Sequence, residues 1–321
     1  MMPYDAPPKL AVLPAILMTD EELLVAVIAR GESAAAKESS SGLLILTGVL
    51  FLAAGGLQWG WESVVFFAVA IALHEIGHVL AMRVFGYKNV RMLFVPLFGG
   101  LATGEPRELD ATRNALVALA GPVFGLLTTF LAGLLAIYLD RPVWLVHFCW
   151  IGLILNSFNL LPLVPLDGGQ FTNDTLFSRY PILELVFRLV AIAGLGWVAF
   201  HWHAWVLGAL VFFMLLTTQV AFRRACLIRD ARRDPAWQAR VLDVETVGRL
   251  RAMVTALFAR LPPEKYQKNL AAHVHGFWLE IRKRFPGWGG TIALLAGYVC
   301  CLVAVGALLF FVVRFVGRPV T

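Results

Sequence analysis

The chain has few charged residues and few cysteines. Only 15% of its 321 residues are Asp, Glu, Lys or Arg, whereas 59% are hydrophobic and the mean hydropathy is +0.75. This composition lies outside the range of soluble domains and indicates a membrane protein. The four cysteines form neither a disulfide framework nor a paired zinc spacing, and we interpret them as small apolar packing residues: Cys149, Cys226, Cys300 and Cys301.

Features of two other classes of protein are also missing. The first thirty residues have no basic start followed by an apolar core, so no cleavable signal peptide is expected. The net charge of +6 is not accompanied by a groove-reading motif or an aromatic stacking platform, so no nucleic-acid partner is expected. We interpret the basic excess as membrane topology and contact with lipid headgroups.

Seven apolar runs are long enough to cross about 30 Å of hydrocarbon. They lie at 43–59, 63–85, 114–138, 143–162, 182–200, 204–222 and 291–316. The sequence therefore predicts an all-α polytopic membrane protein with about seven transmembrane helices.

The distribution of lysine and arginine predicts the orientation of these spans. Arg141 is the only such residue in the turns that follow spans one, three and five. The segments after spans two, four and six contain Arg83, Lys88, Arg91, Arg107 and Arg113, then Arg179, then Arg223, Arg224, Arg229, Arg232 and Arg233. Basic segments stay on the cytoplasmic side, so the amino terminus is predicted to be cytoplasmic.

The stretch "IALHEIGHVL", residues 71 to 80, places ionisable groups inside the second span. His74 and His78 are four residues apart and share one face of a helix, so both imidazoles can reach one metal ion. Glu75 lies about 100° around the helix axis and is free to activate a water molecule, as in zinc hydrolases with the H-E-x-x-H motif. The alternative is a histidine pair satisfied within a helix bundle, with Glu75 neutralised by one of them.

A catalytic zinc generally takes three protein ligands, so a third is needed. The candidate is Asp167 in "NLLPLVPLDGG", residues 159 to 169, where Pro162, Pro165 and the two glycines break a straight helix. Irregular backbone at membrane depth is tolerated where it is buried in protein or lines a wet cavity. The alternative for Asp167 is a helix cap.

These two motifs together resemble those of the site-2 protease family, the intramembrane zinc metalloproteases. The resemblance covers about residues 43–180 and implies a catalytic core of three helices at about 63–180. It implies that His74, His78 and Asp167 bind Zn²⁺ and that Glu75 is the general base. It also implies that Asn159, the first residue of the second motif, orients the substrate.

Two further stretches match the family. "PLFGG", residues 96 to 100, resembles its short membrane-associated glycine-containing loop, which implies that Phe98, Gly99 and Gly100 bind substrate. An edge strand there could pair with an unwound substrate helix; the alternative is a simple surface turn. "AGPVFG", residues 120 to 125, resembles the Gly-Pro element of the third span, or serves helix packing alone.

The chain divides into four predicted segments. Residues 1–42 are a cytosolic arm, 43–222 a six-span membrane domain with the protease core, 223–290 a basic helical cytosolic segment and 291–316 a carboxyl-terminal span. No inserted PDZ domain and no paired nucleotide-binding modules of the kind fused to other family members are recognised. Helices within 223–290 either pack on one another or dock on a membrane surface, a substrate or a regulator.

The predicted function is an intramembrane zinc metalloprotease that cuts a transmembrane protein or peptide substrate within the lipid bilayer. The polar residues Asn156, Ser157, Asn159 and Asp167 predict a wet inlet at the cytoplasmic end of span four. Two other classes stay open, a metal-binding transporter or sensor and a catalytically silent relative. Glu75 distinguishes the first of these, because transport needs ligands but no general base beside them.

Overall fold

The structure is a computed structural model that describes residues 18–36, 61–95, 99–105, 110–164, 166–203, 205–259, 262, 266–267 and 269–317. Contacts group the chain into two compact units. One comprises Met1–Ala36 and Gln219–Arg282, and the other comprises Lys37–Thr218 and Lys283–Thr321. The second unit contains both sequence motifs and is called the membrane unit below; the first is called the helical unit.

The membrane unit is built mainly from apolar helices. In chain order the elements from residue 61 are α2 (Trp61–Val84), β1 (Lys88–Val95), β2 (Gly99–Glu105), α3 (Ala111–Tyr138), α4 (Val143–Asn159), α5 (Asp167–Thr172), α6 (Pro181–His201) and α7 (Trp205–Arg233). A π-helical turn, Asn173–Phe177, continues α5, and the chain ends with α11 (Trp288–Phe311) and a second π-helical turn, Val312–Val316. Helix α7 runs from this unit into the helical unit.

Five described helices are long and apolar enough to cross a membrane, so the chain is an integral membrane protein by their length and composition. They are Trp61–Val84, Ala111–Tyr138, Pro181–His201, Val211–Arg233 and Trp288–Val316. The predicted fourth span corresponds to α4, a shorter apolar helix that ends at Asn159 before Pro162. The predicted first span, 43–59, lies outside the described residues, and the count of seven stays a prediction.

A two-stranded antiparallel sheet makes the prediction of an all-α fold incomplete. Strand β1 pairs with β2 so that Val95 faces Gly99 and Phe94 faces Gly100. The glycines that were predicted to form a loop therefore begin a strand. The sequence analysis considered an edge strand at these glycines but not its pairing with β1, because glycine is unfavourable in strands and the pairing depends on a partner strand.

Helices α3, α4 and α11 pack around one apolar core that includes α5. Phe171 of α5 stacks on Tyr298 of α11 with ring centroids 4.9 Å apart. The Tyr298 hydroxyl donates a hydrogen bond to the Leu160 carbonyl oxygen, just after α4. These contacts join α11 both to the short helix that begins at Asp167 and to the end of α4.

The segment between Lys283 and Trp288 packs on the membrane unit next to the π-helical turn that follows α5. Lys283 forms a buried ion pair with Asp174, and the Ala111 amide donates to the Arg284 carbonyl oxygen at 2.8 Å. Burial, with the nearby Asp174 and Asp110 carboxylates, raises the pKa of Tyr87 to about 12. The basic run "RKRF", residues 282 to 285, thus has partners within the chain.

The helical unit combines α1 (Asp20–Ala36), α8 (Pro235–Ala239), α9 (Val244–Leu257) and α10 (Leu270–Arg282) with the end of α7. Its buried core includes Leu23, Val27, Val247, Leu250, Val274 and Phe277. Arg251 of α9 donates to Asp20 Oδ1 at 2.9 Å and to the Met18 carbonyl oxygen at 2.8 Å. Helix α1 therefore packs with α9 and α10, although the sequence pattern placed it in a separate arm; the four-segment division stays a prediction.

Candidate metal centre

Two histidines of α2 face each other one helical turn apart. His74 is 3% exposed and His78 is 6% exposed. Their Nε2 atoms lie 3.1 Å apart, and the rings meet edge to face. The four-residue spacing of "HEIGH" therefore directs both imidazoles at one point inside the protein.

Asp167 approaches the same point from α5. Its Oδ2 atom lies 2.9 Å from His74 Nε2 and 3.4 Å from His78 Nε2. Asp167 is the first residue of the helix, and Leu166 occupies the N-cap position without a side-chain hydrogen bond. The Asp167 carboxylate faces the histidines, and Leu166 occupies the N-cap position, so Asp167 is not the N-cap of this helix.

Close packing of backbone brings α5 to this place. A Cβ atom at Gly168 would lie 2.2 Å from the Leu160 carbonyl oxygen, and one at Gly169 would lie 2.2 Å from the Leu163 carbonyl carbon. No real side chain tolerates such distances, so both positions require glycine. The "DGG" sequence allows α5 to fold back on the segment after α4, which is where Asp167 meets the histidines.

Both histidines have their second ring nitrogen occupied. His78 Nδ1 lies 2.8 Å from the Val117 carbonyl oxygen, and His74 Nδ1 lies 2.8 Å from Asn156 Oδ1. An oxygen acceptor at each Nδ1 requires an N–H there, so each neutral imidazole presents a lone pair at Nε2. This is the arrangement in which histidine binds a metal ion through Nε2.

The three ligand atoms fit one zinc ion. Tetrahedral zinc with bonds of about 2.0–2.1 Å separates neighbouring ligand atoms by about 3.3 Å, and the three separations here are 3.1, 2.9 and 3.4 Å. Within the described part of the chain, Asp167 Oδ2 is also a buried atom without a hydrogen-bond partner. Two lone pairs and a carboxylate oxygen at these distances repel one another unless a cation lies between them or an imidazole gains a proton.

Glu75 borders the centre. It is 5% exposed, and its Oε2 atom has no hydrogen-bond partner among the residues that the structure describes. The backbone amide of Ala102 in β2 donates a hydrogen bond to its carboxylate. The sheet therefore holds one side of the Glu75 carboxylate and leaves an oxygen for another partner.

The structure does not bring every predicted site residue to the centre. Asn159, the last residue of α4, is half-buried and has no hydrogen bond with the three metal ligands among the described residues. Gly99 and Gly100 are paired in the sheet, whereas Phe98 lies outside the described residues. Their predicted roles in substrate binding stay predictions.

Sequence reasoning missed the contributions of Asn156 and of the glycines in "AGPVFG". Asn156 is 1% exposed and bound to His74, so it does not line the wet inlet predicted for it. A Cβ atom at Gly121 would lie 2.2 Å from His78 Nε2, and one at Gly125 would lie 2.0 Å from Asn156 Oδ1. The available signal was an asparagine inside an apolar helix, which is costly there without a partner.

The other histidine pairs are not part of a metal centre in the described part of the chain. There, the group of His, Cys, Asp and Glu side chains able to hold an ion is His74, His78 and Asp167. The stretches "HWH" at 201–203 and "HVH" at 273–275 contribute no ligand to it. Among the described residues, the four cysteines form no disulfide.

Comparison with known proteins gives several zinc metalloproteases. No family model matches the chain. It is 27% identical over 120 residues to a zinc metalloprotease of Methanocaldococcus jannaschii, a match that covers 36% of this chain and 34% of that protein. It is 32% identical over 130 residues to the putative zinc metalloprotease Rip3 of Mycobacterium tuberculosis, covering 38% of this chain and 32% of that protein.

The match to stage IV sporulation protein FB of Bacillus subtilis is 28% identical over 173 residues and covers 49% of this chain and 58% of that protein. The chain thus spans about a third of the length of the two metalloproteases described first. Among solved structures, a site-2 protease from Methanocaldococcus jannaschii matches with a TM-score of 0.36 and 20% identity, covering 57% of this chain and 86% of that one.

The sequence matches agree with the resemblance that the two motifs carry. Several of the matched proteins are named zinc metalloproteases. The residues that would bind the metal in such a protein lie together in this structure. The recognition made from "HEIGH" and "NLLPLVPLDGG" is therefore confirmed, and over part of its length this chain is similar to curated zinc metalloproteases.

Proposed function

We propose that the chain is an intramembrane zinc metalloprotease, which hydrolyses a peptide bond in or near a transmembrane segment of a membrane-protein substrate. The observation that carries the proposal is the convergence of His74, His78 and Asp167 beside the unpaired Oε2 atom of Glu75. The centre is buried among helices that are long enough to cross a membrane. A bare metal-binding site needs no such carboxylate beside its ligands.

Zinc held by these three ligands would supply Lewis acidity, which makes a water molecule more acidic and polarises the scissile carbonyl group. Glu75 acts as the general base and accepts a proton from that water at Oε2, while the water oxygen attacks the carbonyl carbon. Glu75 then returns the proton to the amide nitrogen as the carbon–nitrogen bond breaks.

The hairpin β1–β2 offers a place for an extended substrate. In the described part of the chain the sheet has two strands, so each strand is paired along one side. A transmembrane helix must unwind before its carbonyl groups can be attacked, and an unwound segment gains hydrogen bonds by adding to a sheet. The contact between Ala102 of β2 and Glu75 places this sheet next to the proton carrier, which supports Gly99 and Gly100 as substrate-binding positions.

Asn159 would hold the substrate's carbonyl or amide group. It is half-buried at the end of α4, three residues after Asn156 and close in sequence to the break that leads to Asp167. Its amide can both donate and accept hydrogen bonds. The proposal assigns orientation of the peptide to Asn159 and proton transfer to Glu75.

The same proposal places the amino terminus and residues 223–290 in the cytoplasm, where the latter could bind a regulator. Its support is the bias of arginine and lysine toward the segments after spans two, four and six. Because α1 packs with α9 and α10, both parts of the helical unit lie on the same side of the membrane.

The experiment measures zinc content and peptide cleavage together. Purified protein in detergent is analysed for bound zinc and incubated with a reporter that contains a transmembrane helix. We expect about one zinc per wild-type chain and a cut reporter. Glu75→Gln should keep the zinc and lose cleavage, whereas Asp167→Asn should lose both.

Two results would contradict the proposal in different ways. If Glu75→Gln still cleaves the reporter, Glu75 is not the general base and the proposed protease mechanism is wrong. Zinc binding without cleavage by wild type, across reporters that differ in the transmembrane segment, would favour a sensor, a transporter or a silent relative. Glu245→Gln, an exposed change in α9, serves as the matched control and should leave zinc content and cleavage unchanged.

A further inference from the structure

We propose that Asn156 is a positioning residue for the metal centre, which fixes the His74 ring so that Nε2 faces the zinc. The inference rests on the proposed function, because it gives Asn156 this role only if His74 binds the metal. Asn156 lies on α4, 82 residues from His74 in sequence, and it belongs to none of the catalytic positions assigned above. Its side chain is almost completely buried.

The orientation of the Asn156 amide is determined by its second partner. Nδ2 donates a hydrogen bond to the Gly152 carbonyl oxygen at 2.7 Å. If the amide were turned by 180°, Oδ1 would lie about where Nδ2 lies now and would repel the Gly152 carbonyl oxygen. Oδ1 is therefore the atom that lies 2.8 Å from His74 Nδ1. Because Oδ1 can only accept, His74 carries its proton on Nδ1 and presents the Nε2 lone pair to the centre.

The two histidines differ in how they are held. His78 Nδ1 donates to a backbone carbonyl, that of Val117, which no side-chain substitution removes. His74 depends on the Asn156 side chain for the same purpose. Loss of that acceptor would free the His74 ring to rotate or to change tautomer, and partners of this kind commonly change metal affinity by about 10–100-fold.

Glycines on α3 and α4 leave room for the Asn156 amide. A Cβ atom at Gly125 of α3 would lie 2.0 Å from Asn156 Oδ1. One turn away on the same face of α4, a Cβ atom at Gly152 would lie 2.4 Å from Thr129 Oγ1 of α3. The absence of side chains at these two glycines lets α3 and α4 approach closely while the polar amide stays between them.

The test compares zinc affinity in variants at position 156. Asn156→Leu keeps the approximate size and removes the acceptor, whereas Asn156→Asp keeps an acceptor oxygen. Affinity is measured by competition with a chelator, and Co²⁺ absorption in the visible range reports the ligand geometry. We expect zinc to bind about 10–100-fold more weakly to Asn156→Leu, with altered Co²⁺ bands, and Asn156→Asp to restore both.

A second set of variants tests the same contact by adding a methyl group next to the Asn156 amide. Gly125→Ala in the wild-type background should push the Asn156 amide aside and weaken zinc binding. In an Asn156→Ala background the added methyl group has room, so the same change should have little further effect. Ile154→Ala, an exposed change on the same helix, is the control and should leave zinc affinity unchanged.

The outcomes separate this inference from the proposed function. If wild type binds zinc and both Asn156→Leu and Gly125→Ala bind it equally tightly, the positioning role is wrong and the metal site stands. Additive effects of Gly125→Ala and Asn156→Ala would likewise overturn the role. If wild type binds no zinc, the proposed function fails and the inference fails with it.

Discussion

Gly121 of α3 lies against the imidazole ring of His78. A Cβ atom at position 121 would be 2.2 Å from His78 Nε2 and 2.5 Å from His78 Cε1. Nε2 is the atom that faces Asp167, so the space left by this glycine is occupied by a metal ligand. The glycines of "AGPVFG" therefore serve the metal centre as well as helix packing.

Gly121→Ala should weaken zinc binding although it removes no ligand and adds no charge. The new methyl group must displace the His78 ring or move α3 away from α2, and either shift disturbs the ligand geometry. We expect at least about a 10-fold loss of zinc affinity, as for other changes next to metal ligands. Zinc competition titration measures it.

Gly194→Ala provides the matched control, because a Cβ atom there meets nothing within 4 Å. It makes the same chemical change in α6 and should leave zinc affinity as in wild type. Equal affinities for Gly121→Ala and wild type would show that the centre tolerates the methyl group and that the close contact has no functional consequence.

The parts of the site that could be predicted are those that depend on local spacing. The four-residue spacing in "HEIGH" places His74 and His78 on one face of a helix independently of the rest of the fold. The proline and glycine residues around Asp167 mark a break in the helix in the same local way. The lengths of the apolar runs also give the described spans, apart from the shorter α4.

The parts that could not be predicted depend on contacts between distant segments. Asn156 and His74 are separated by 82 residues, and nothing in either motif specifies that they meet. The strand pairing of Gly99 with Val95 depends on where the hairpin folds over α2. The packing of α1 on α9 brings Asp20 to Arg251, and the apolar spacing of α1 alone does not name its partner.

Removal of the metal should destabilise the protein. Zinc that binds the folded chain adds about 2.7 kcal/mol to the free energy of unfolding when it is present at about 100 times its Kd. A chelator should therefore lower the Tm of the detergent-solubilised wild type, and added zinc should restore it. Differential scanning fluorimetry with and without the chelator measures the shift.

The ligand variants give this prediction its controls. Asp167→Asn removes a ligand and should show no zinc-dependent change in Tm, while Glu75→Gln leaves all three ligands and should show the wild-type shift. A zinc-dependent shift of the same size in Asp167→Asn would mean that the stabilising zinc binds elsewhere.

Breaking the buried ion pair between Lys283 and Asp174 should destabilise the membrane unit. The side chains are only 7% and 8% exposed, so Lys283→Met would leave a buried carboxylate without its cation. We expect a loss of about 3–5 kcal/mol in the free energy of unfolding. Denaturant titration in detergent, followed by tryptophan fluorescence, measures the loss.

Neutralising both partners should recover much of that stability. The double variant Lys283→Met with Asp174→Asn leaves no unpaired charge and should be more stable than Lys283→Met alone. Lys88→Met, at an exposed lysine, is the control for loss of a positive charge and should have little effect. If Lys283→Met is as stable as the control, the ion pair contributes nothing measurable.

The number of membrane crossings can be tested through the packing of α1. Because α1 contacts α9 and α10, these helices must lie on the same side of the membrane, and the number of crossings between them must be even. The described helices α2, α3, α4, α6 and α7 give five crossings if α4 crosses. One more is then required, and the apolar run 43–59 is the segment that the sequence offers for it.

Single cysteines introduced into a cysteine-free background should report this arrangement. In intact cells an impermeant maleimide should label Arg141→Cys and Trp202→Cys, which lie in turns on the predicted outer side. Glu21→Cys and Arg249→Cys should be labelled only after permeabilisation.

If Glu21→Cys and Arg249→Cys were both labelled from outside, the predicted orientation would be inverted. If they were labelled on opposite sides, the packing of α1 on α9 would be contradicted. If Arg141→Cys and Arg249→Cys shared a side, then α4, α6 and α7 would not make three crossings, and the required sixth crossing would lose its basis.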